Sequence, residues 1–222
     1  MKKLILAASG ACAMLFSAAQ AAVVYADEVL WHDNDSYSNP ARENPSNALG
    51  APDQVGSSPI NFLSLGLSTV DDGLAYAFFG FPGSPFVGGS AQTVEVTFGC
   101  NNVVDGGCSN HPEAVYVYYG STLPGSTSDV PLADLASFTS GLNYTLAGTA
   151  TNGSAAAETV TISETFSYIL LVDATKAIFP DSVSTDGFDI DAVAVDPVPV
   201  PGAALLMGSG LIVAAARRRR TK

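Results

Sequence analysis

The chain has 222 residues, of which 47% are hydrophobic and only 14% charged, with 21 Gly and 13 Pro. That is enough apolar material for one core of ordinary size and too little charge for a disordered chain. The formal net charge of −12 is unevenly spread. Seven of the nine Lys and Arg are terminal (Lys2, Lys3, Arg217, Arg218, Arg219, Arg220 and Lys222), whereas all 21 Asp and Glu lie between Asp27 and Asp196. The middle therefore sets two cations, Arg42 and Lys176, against 21 anions, a net of −19. Such a surface repels nucleic acid and anionic headgroups, and nucleic acid is not expected as a partner.

The N-terminus has the form of a signal peptide over residues 1–21. Lys2 and Lys3 make a basic start, and an apolar stretch runs from Leu4 to about Ala19. Ala19-Gln20-Ala21 supplies the small-x-small pattern of a cleavage site, so a signal helix removed after Ala21 or Ala22 is expected. An exported chain meets the Sec machinery first. Residues 22–195 are expected to form the folded domain and residues 196–222 a separate tail.

Short β-branched or alternating runs then recur, bounded by Gly, Pro, Asn and Asp. The clearest are Val23–Leu30, Leu74–Phe79, Thr93–Phe98, Ala114–Tyr119, Leu142–Gly148, Thr159–Ser163, Tyr168–Val172 and Phe188–Val195. In TVEVTF, Val94, Val96 and Phe98 share one face and Thr93, Glu95 and Thr97 the other. Period two with frequent turns predicts antiparallel strands with one buried face. In the last run Phe188, Ile190, Ala192 and Ala194 are expected opposite Asp189, Asp191, Val193 and Val195. Only Asn44–Leu49 and Asp129–Ser140 have the makings of short helical turns. About eight short strands predict an all-β, antiparallel, jelly-roll-like β-sandwich.

Between the strands lie the residues with chemistry. In WHDND, His32 and Asp33 are neighbours, and neighbours along a strand point to opposite faces, so Asp33 and Asp35 read as turn or metal residues. In CNNVVDGGC, Cys100 and Cys108 form an even pair in an exported chain, which reads as a disulfide. Closing that loop would contribute about 2–3 kcal/mol in the chain-entropy model. A metal site is the weaker reading, since two thiolates need further ligands and only His111 is near. NPSNALGAPD, Asn44 to Asp53, is rich in turn formers and reads as a shaped loop. DSVSTDGFDIDAVAVD, Asp181 to Asp196, places Asp189 and Asp191 on one strand face with Asp186 in the preceding turn. Such carboxylates either form a solvated polar face or bind Ca²⁺, which takes six to eight oxygens; no other cofactor is expected. There is no GxSxG elbow, HExxH, Walker loop or dinucleotide fingerprint. The expectation is a protein that is not an enzyme; a carboxylate-pair hydrolase leaves no short motif and stays as the remote alternative.

Both segments carry a resemblance. NPSNALGAPD resembles a segment common near the N-terminus of exported bacterial sandwich domains with sorting tails. More distantly it is similar to the early loop of discoidin-like, galactose-binding-like sandwiches. The Asp-Gly and tryptophan that often follow there are missing, so carbohydrate binding is not carried over residue by residue. A carbohydrate-binding module, with or without Ca²⁺, remains the alternative function. The DGFD-Ile-DAV ending resembles the last strand of the same exported domains.

The tail has three parts. Asp196-Pro197-Val198-Pro199-Val200-Pro201 is a stiff, extended spacer. Gly202 to Ala216 is uncharged and largely apolar, and would be a transmembrane helix if the bilayer thins and the arginines snorkel. Arg217, Arg218, Arg219 and Arg220 form a basic stop that belongs on the cytoplasmic side. This ordered ending resembles the PEP-CTERM sorting signal of Gram-negative bacteria, in its VPxPxA-like variants. By position, Val198, Pro199, Pro201 and Ala203 match the recognition motif and Arg217–Arg220 the basic end. The departure is Val200, where the commonest form has Glu, which leaves the exosortase subtype open. The resemblance implies an exosortase as partner, transient residence in the inner membrane and delivery to the cell surface or extracellular matrix, often with exopolysaccharide and biofilm.

Overall fold

A computed structural model describes residues 22–54, 60–88, 92–98, 111–152 and 157–196. All belong to one compact unit, Ala21–Val198. The expected signal peptide (residues 1–21), Cys100 and Cys108, and the tail from residue 197 onward lie outside the described residues.

Among the described residues, ten strands form two antiparallel sheets. One has the order β1 (Val24–Tyr25), β10 (Asp189–Asp196), β5 (Gln92–Phe98), β8 (Ala157–Ile162), with β3 (Leu63–Ser64) also pairing with β10. The other has the order β2 (Glu28–His32), β4 (Tyr76–Gly80), β9 (Tyr168–Asp173), β6 (Ala114–Gly120), β7 (Thr145–Thr151). The fold is thus an all-β sandwich. Among the described residues no helix is long and apolar enough to cross a membrane.

The inner faces meet in a core that includes Phe79, Phe81, Val94, Val96, Phe98, Val115, Val117, Ile169, Leu171 and Phe188. β5 follows the alternation of its sequence, with Val94, Val96 and Phe98 buried and Thr93, Glu95 and Thr97 partly exposed. β4 does not alternate: all five of its residues are buried. The expectation of one buried face fails for β4 and β9, because their outer face is covered as well. Residues 121–144 lie over it and bring Val130, Leu132, Leu135, Phe138 and Leu142 onto Tyr76, Phe78, Leu170 and Val172. This segment contains the helical turns expected there, a 3-10 turn at Leu132–Asp134 followed by α1 (Leu135–Gly141). Tyr76 keeps its hydroxyl satisfied under the cover by donating to the Ser128 carbonyl at 2.8 Å. The other expected turn is a 3-10 helix at Pro45–Ala48, where the Asn44 side chain accepts from the Ser46 amide and proline takes the first helical position.

Three expectations about strands change. The run Val23–Leu30 is two strands in different sheets. The amide of Ala26 donates to Val193 in one sheet and that of Asp27 to Gly80 in the other, so the chain changes layers between two consecutive residues. The strand expected at Leu142–Gly148 starts at Thr145, because Leu142 closes α1 and Asn143 turns the chain at φ 57°. In β10 the pairing with β5 shifts between Ile190 and Ala192. This irregularity reverses the facing downstream of it. Phe188 and Ile190 enter the core as expected, but Val193 and Val195 join them there in place of Ala192 and Ala194.

Candidate functional site

The start of β6, the end of β9 and the start of β10 converge at one end of the sandwich. Four carboxylates are buried there: Glu113, Asp173, Asp186 and Asp189. Each is held by specific donors, as a buried charge requires.

Asp173, the last residue of β9, accepts from the Ser68 amide at 2.9 Å, the Thr175 hydroxyl at 2.6 Å, the Thr175 amide at 3.4 Å and the Phe188 amide at 3.2 Å. One side chain thereby ties the 66–68 loop, the turn into α2 (Thr175–Ile178) and the approach to β10 together. Burial raises its pKa and the donors pull it back, leaving it at about 6. Glu113 accepts from the Ser184 hydroxyl at 2.8 Å and the Asn152 amide group at 2.9 Å. Its pKa is driven well above the usual carboxylate range, first by burial and then by the charges of Asp189, Asp186 and Asp173.

Asp186 and Asp189 face the cation Arg42. The guanidinium bonds to Asp186 Oδ2 and lies 4.0 Å from Asp189 Oδ2. The Ser64 hydroxyl donates to Asp189. Burial, and next the Asp186 charge, raise the Asp189 pKa against the lowering effects of Ser64 and Arg42. Arg42 also stacks over Phe62, with 5.1 Å from guanidinium carbon to ring centroid, and stands 6.0 Å from the Tyr37 ring. The second cation of the body, Lys176, donates to the Ser182 carbonyl. Both positive charges of the acidic middle thus pin the same segment, 181–189.

Gly187 permits this packing. It sits at φ +70° in a parallel bridge with Gly66, and a Cβ there would lie 1.8 Å from the Gly66 carbonyl oxygen. No side chain fits that approach.

Asp186, Asp189 and Asp191 are therefore not a solvated face, since all three are buried. Asp186 and Asp189 share Arg42 and Ser64, whereas Asp191 faces elsewhere. Asp191 points to the loop before β3, accepting from the amides of Asp53 at 3.2 Å and Gln54 at 3.3 Å. Burial is the chief cause of its raised pKa. Among the described residues no group of three or more His, Cys, Asp or Glu is placed to hold a metal ion. Every residue of DGFDID is committed internally. Asp186 meets Arg42, Gly187 lets Gly66 approach, Phe188 and Ile190 fill the core, Asp189 meets Ser64, and Asp191 holds the end of NPSNALGAPD. The two distinctive segments of the body are partners of each other.

The histidines go elsewhere. His32 ends β2, stacks on Tyr76 at 4.8 Å between centroids, and places Nε2 3.4 Å from Asp129 Oδ1 rather than against Asp33. Asp33 accepts from the Asp35 amide at 3.0 Å, with Asp35 at φ 56°, which makes both turn residues. His111 is exposed and contributes its carbonyl to Asn152 at 3.0 Å. Trp31 packs against the inner core and donates its indole N–H to Leu65 at 3.3 Å.

No site expectation from the sequence fell on Glu113, Asp173, Arg42, Ser64 or Ser184. A signal existed for two of them: Asp173 follows the apolar run Ile169–Val172, and Arg42 is one of only two cations in a body of −19. The sorting residues Val198, Pro199, Pro201, Ala203 and Arg217–Arg220, and the pair Cys100 and Cys108, fall outside the described residues. No protein-family model matches this chain, and a comparison with curated proteins returns no significant match.

Proposed function

We propose that this chain is an exported, non-enzymatic protein with a jelly-roll-like body, carried to the cell surface or extracellular matrix of a Gram-negative bacterium by an exosortase-type C-terminal signal. The observation that carries the reading is the ending itself. A proline-spaced Val198-Pro199-Val200-Pro201, an uncharged run from Gly202 to Ala216 and four arginines occur in that order, in a chain whose first 21 residues have the pattern of a signal peptide. In a signal of this kind the apolar run halts the chain in the inner membrane and the arginines fix the C-terminus inside. The Sec machinery and an exosortase are the partners of this route, and matrix exopolysaccharide is the material the delivered body joins.

The body supports the reading in two ways. The strand orders β1-β10-β5-β8 and β4-β9-β6-β7, with β2 added at one edge, support the jelly-roll reading of the sandwich. The carboxylates of the DGFD segment are committed to holding loops in place, which suits a compact module meant to persist outside the cell.

The test is to express the full chain in an exosortase-bearing host beside a Pro199→Ala/Pro201→Ala variant. The parent is expected at the cell surface or in the medium and the variant retained in the inner membrane. Identical distribution of the two would refute the proposal.

A further inference from the structure

Among the described strands, β7 is an open edge of an unusual kind for this protein. From Leu135 to Ala157 the sequence contains no Asp, Glu, Lys, Arg or His, in a body that otherwise carries a net of −19. β7 lies inside that interval and pairs only with β6 in its sheet. Edge strands ordinarily carry charge or proline to prevent pairing with another chain. β2 and β8 follow the rule with Glu28 and Glu158. β7 has neither device among its own residues. Among the described residues a carboxylate reaches it only at the Thr151 end, from Glu158.

Its register shows what it offers. The Asn152 amide donates to the Glu113 carbonyl, and Val115 and Val117 oppose Ala150 and Gly148. By the alternation of an antiparallel ladder, Thr149 and Thr151 turn their backbone groups away from β6. The Thr151 amide is taken by the Glu158 carboxylate, which closes that end of the edge. Among the described residues the backbone groups of Thr149 meet no further strand, and Thr145, Leu146 and Thr149 are exposed, Leu146 at 50%.

We infer that the Thr145–Thr149 edge pairs with the same edge of a second copy of this chain, antiparallel about a two-fold axis. Charge decides the occupant. A basic partner would be drawn to the acidic surfaces and gain nothing from a neutral strip. A second copy, itself strongly acidic, is repelled everywhere except where both surfaces are uncharged. A two-fold arrangement brings those two strips together and pairs backbone groups without opposing like charges.

The interface is short, so the association is weak, and it has an uncommon salt dependence. Raising NaCl from about 0.01 to about 0.1 M shortens the Debye length from roughly 30 to about 10 Å, which screens the repulsion between the bodies and strengthens pairing. The experiment is disulfide trapping in the full chain, purified in mild detergent, with Thr145→Cys, Ala147→Cys and Thr149→Cys made singly. Thr161→Cys, on an exposed face of β8, is the control, and the parent gives the background from its own cysteines. Facing strands at the two-fold bring Cα atoms within disulfide reach. Covalent dimer above background is expected at one or more β7 positions and not at Thr161→Cys, rising with salt and falling when Leu146→Lys is added. Leu146→Lys changes only an exposed side chain, so the fold is kept. Dimer no greater than at Thr161→Cys, or a yield that Leu146→Lys leaves unchanged, would overturn the inference.

Discussion

Replacing Arg42 by Met removes the guanidinium facing the buried pair Asp186 and Asp189 and keeps most of the aliphatic bulk over Phe62. Breaking a buried ion pair from one side typically costs about 3–5 kcal/mol, because the partner charge is left desolvated and unmatched. Here the side chains of Arg42 and Asp186 keep 15% and 10% of their surface, so water screens part of the loss and the expected cost at pH 7 is about 3 kcal/mol. Loss of the contact with the Phe62 ring adds about 0.5–1 kcal/mol. With a urea m-value of about 2 kcal/mol/M, the midpoint of denaturation moves down by about 1.5–2 M with little change in slope. Trp31 is half-buried against the core and is the single tryptophan of the chain, so its fluorescence reports the transition. At pH 5 the same substitution is expected to cost less, because the buried carboxyls of Asp189 and Glu113 hold protons more readily than free ones. A midpoint shift below about 0.5 M at pH 7, or an equal loss at pH 5 and pH 7, would refute the claim that Arg42 neutralises this end of the sandwich.

The raised carboxyl pKa values also set the pH dependence of the parent. A carboxyl whose folded pKa lies above its unfolded value binds more protons when folded, so stability falls as pH rises from the unfolded pKa to the folded one. Asp173, moved from 3.8 to about 6, contributes a loss of about 3 kcal/mol across that interval, with Glu113 and Asp189 acting in the same direction. Urea midpoints should therefore fall between pH 4 and pH 7, and a midpoint that rises over this range contradicts the assignment. Gly187→Ala should prevent folding outright, since its Cβ would lie 1.8 Å from the Gly66 carbonyl oxygen at a φ of +70°; circular dichroism of a soluble, sheet-rich variant would disprove the close approach. Phe138→Ala removes a ring 4.9 Å from that of Tyr76 under the helical cover and should cost about 2–3 kcal/mol, measured by thermal or urea unfolding. A loss under about 0.5 kcal/mol would mean that the 121–144 segment is not packed on the sheet.

The strands that could be read from sequence are those whose two faces differ. β5 alternates because Thr93, Glu95 and Thr97 stay at the surface. β10 was harder, since Ala192, Val193, Ala194 and Val195 are all apolar and nothing local marks the shift that sends the valines inward. The change of sheet between β1 and β2 passes through Ala26 and Asp27, with no Gly or Pro to mark it. The two-residue β3 is too short to produce a period. The buried end was only half legible: Asp186, Asp189 and Asp191 stood out as a cluster, but their partners Arg42, Ser64 and Asp53 are more than a hundred residues away in sequence. Proximity along a strand suggested a shared role, whereas the alternation and the irregularity after Ile190 give the aspartates different neighbours. Nothing in the sequence singled out Gly187, because its constraint comes from Gly66, more than a hundred residues away.

The central claim concerns delivery, and the mass of the mature protein tests it most directly. Intact-protein mass spectrometry of the full chain recovered from an exosortase-bearing host should find an N-terminus at Ala22 or Val23 and a C-terminus that has lost Arg217–Arg220. Molecules that all keep the four arginines would contradict the account.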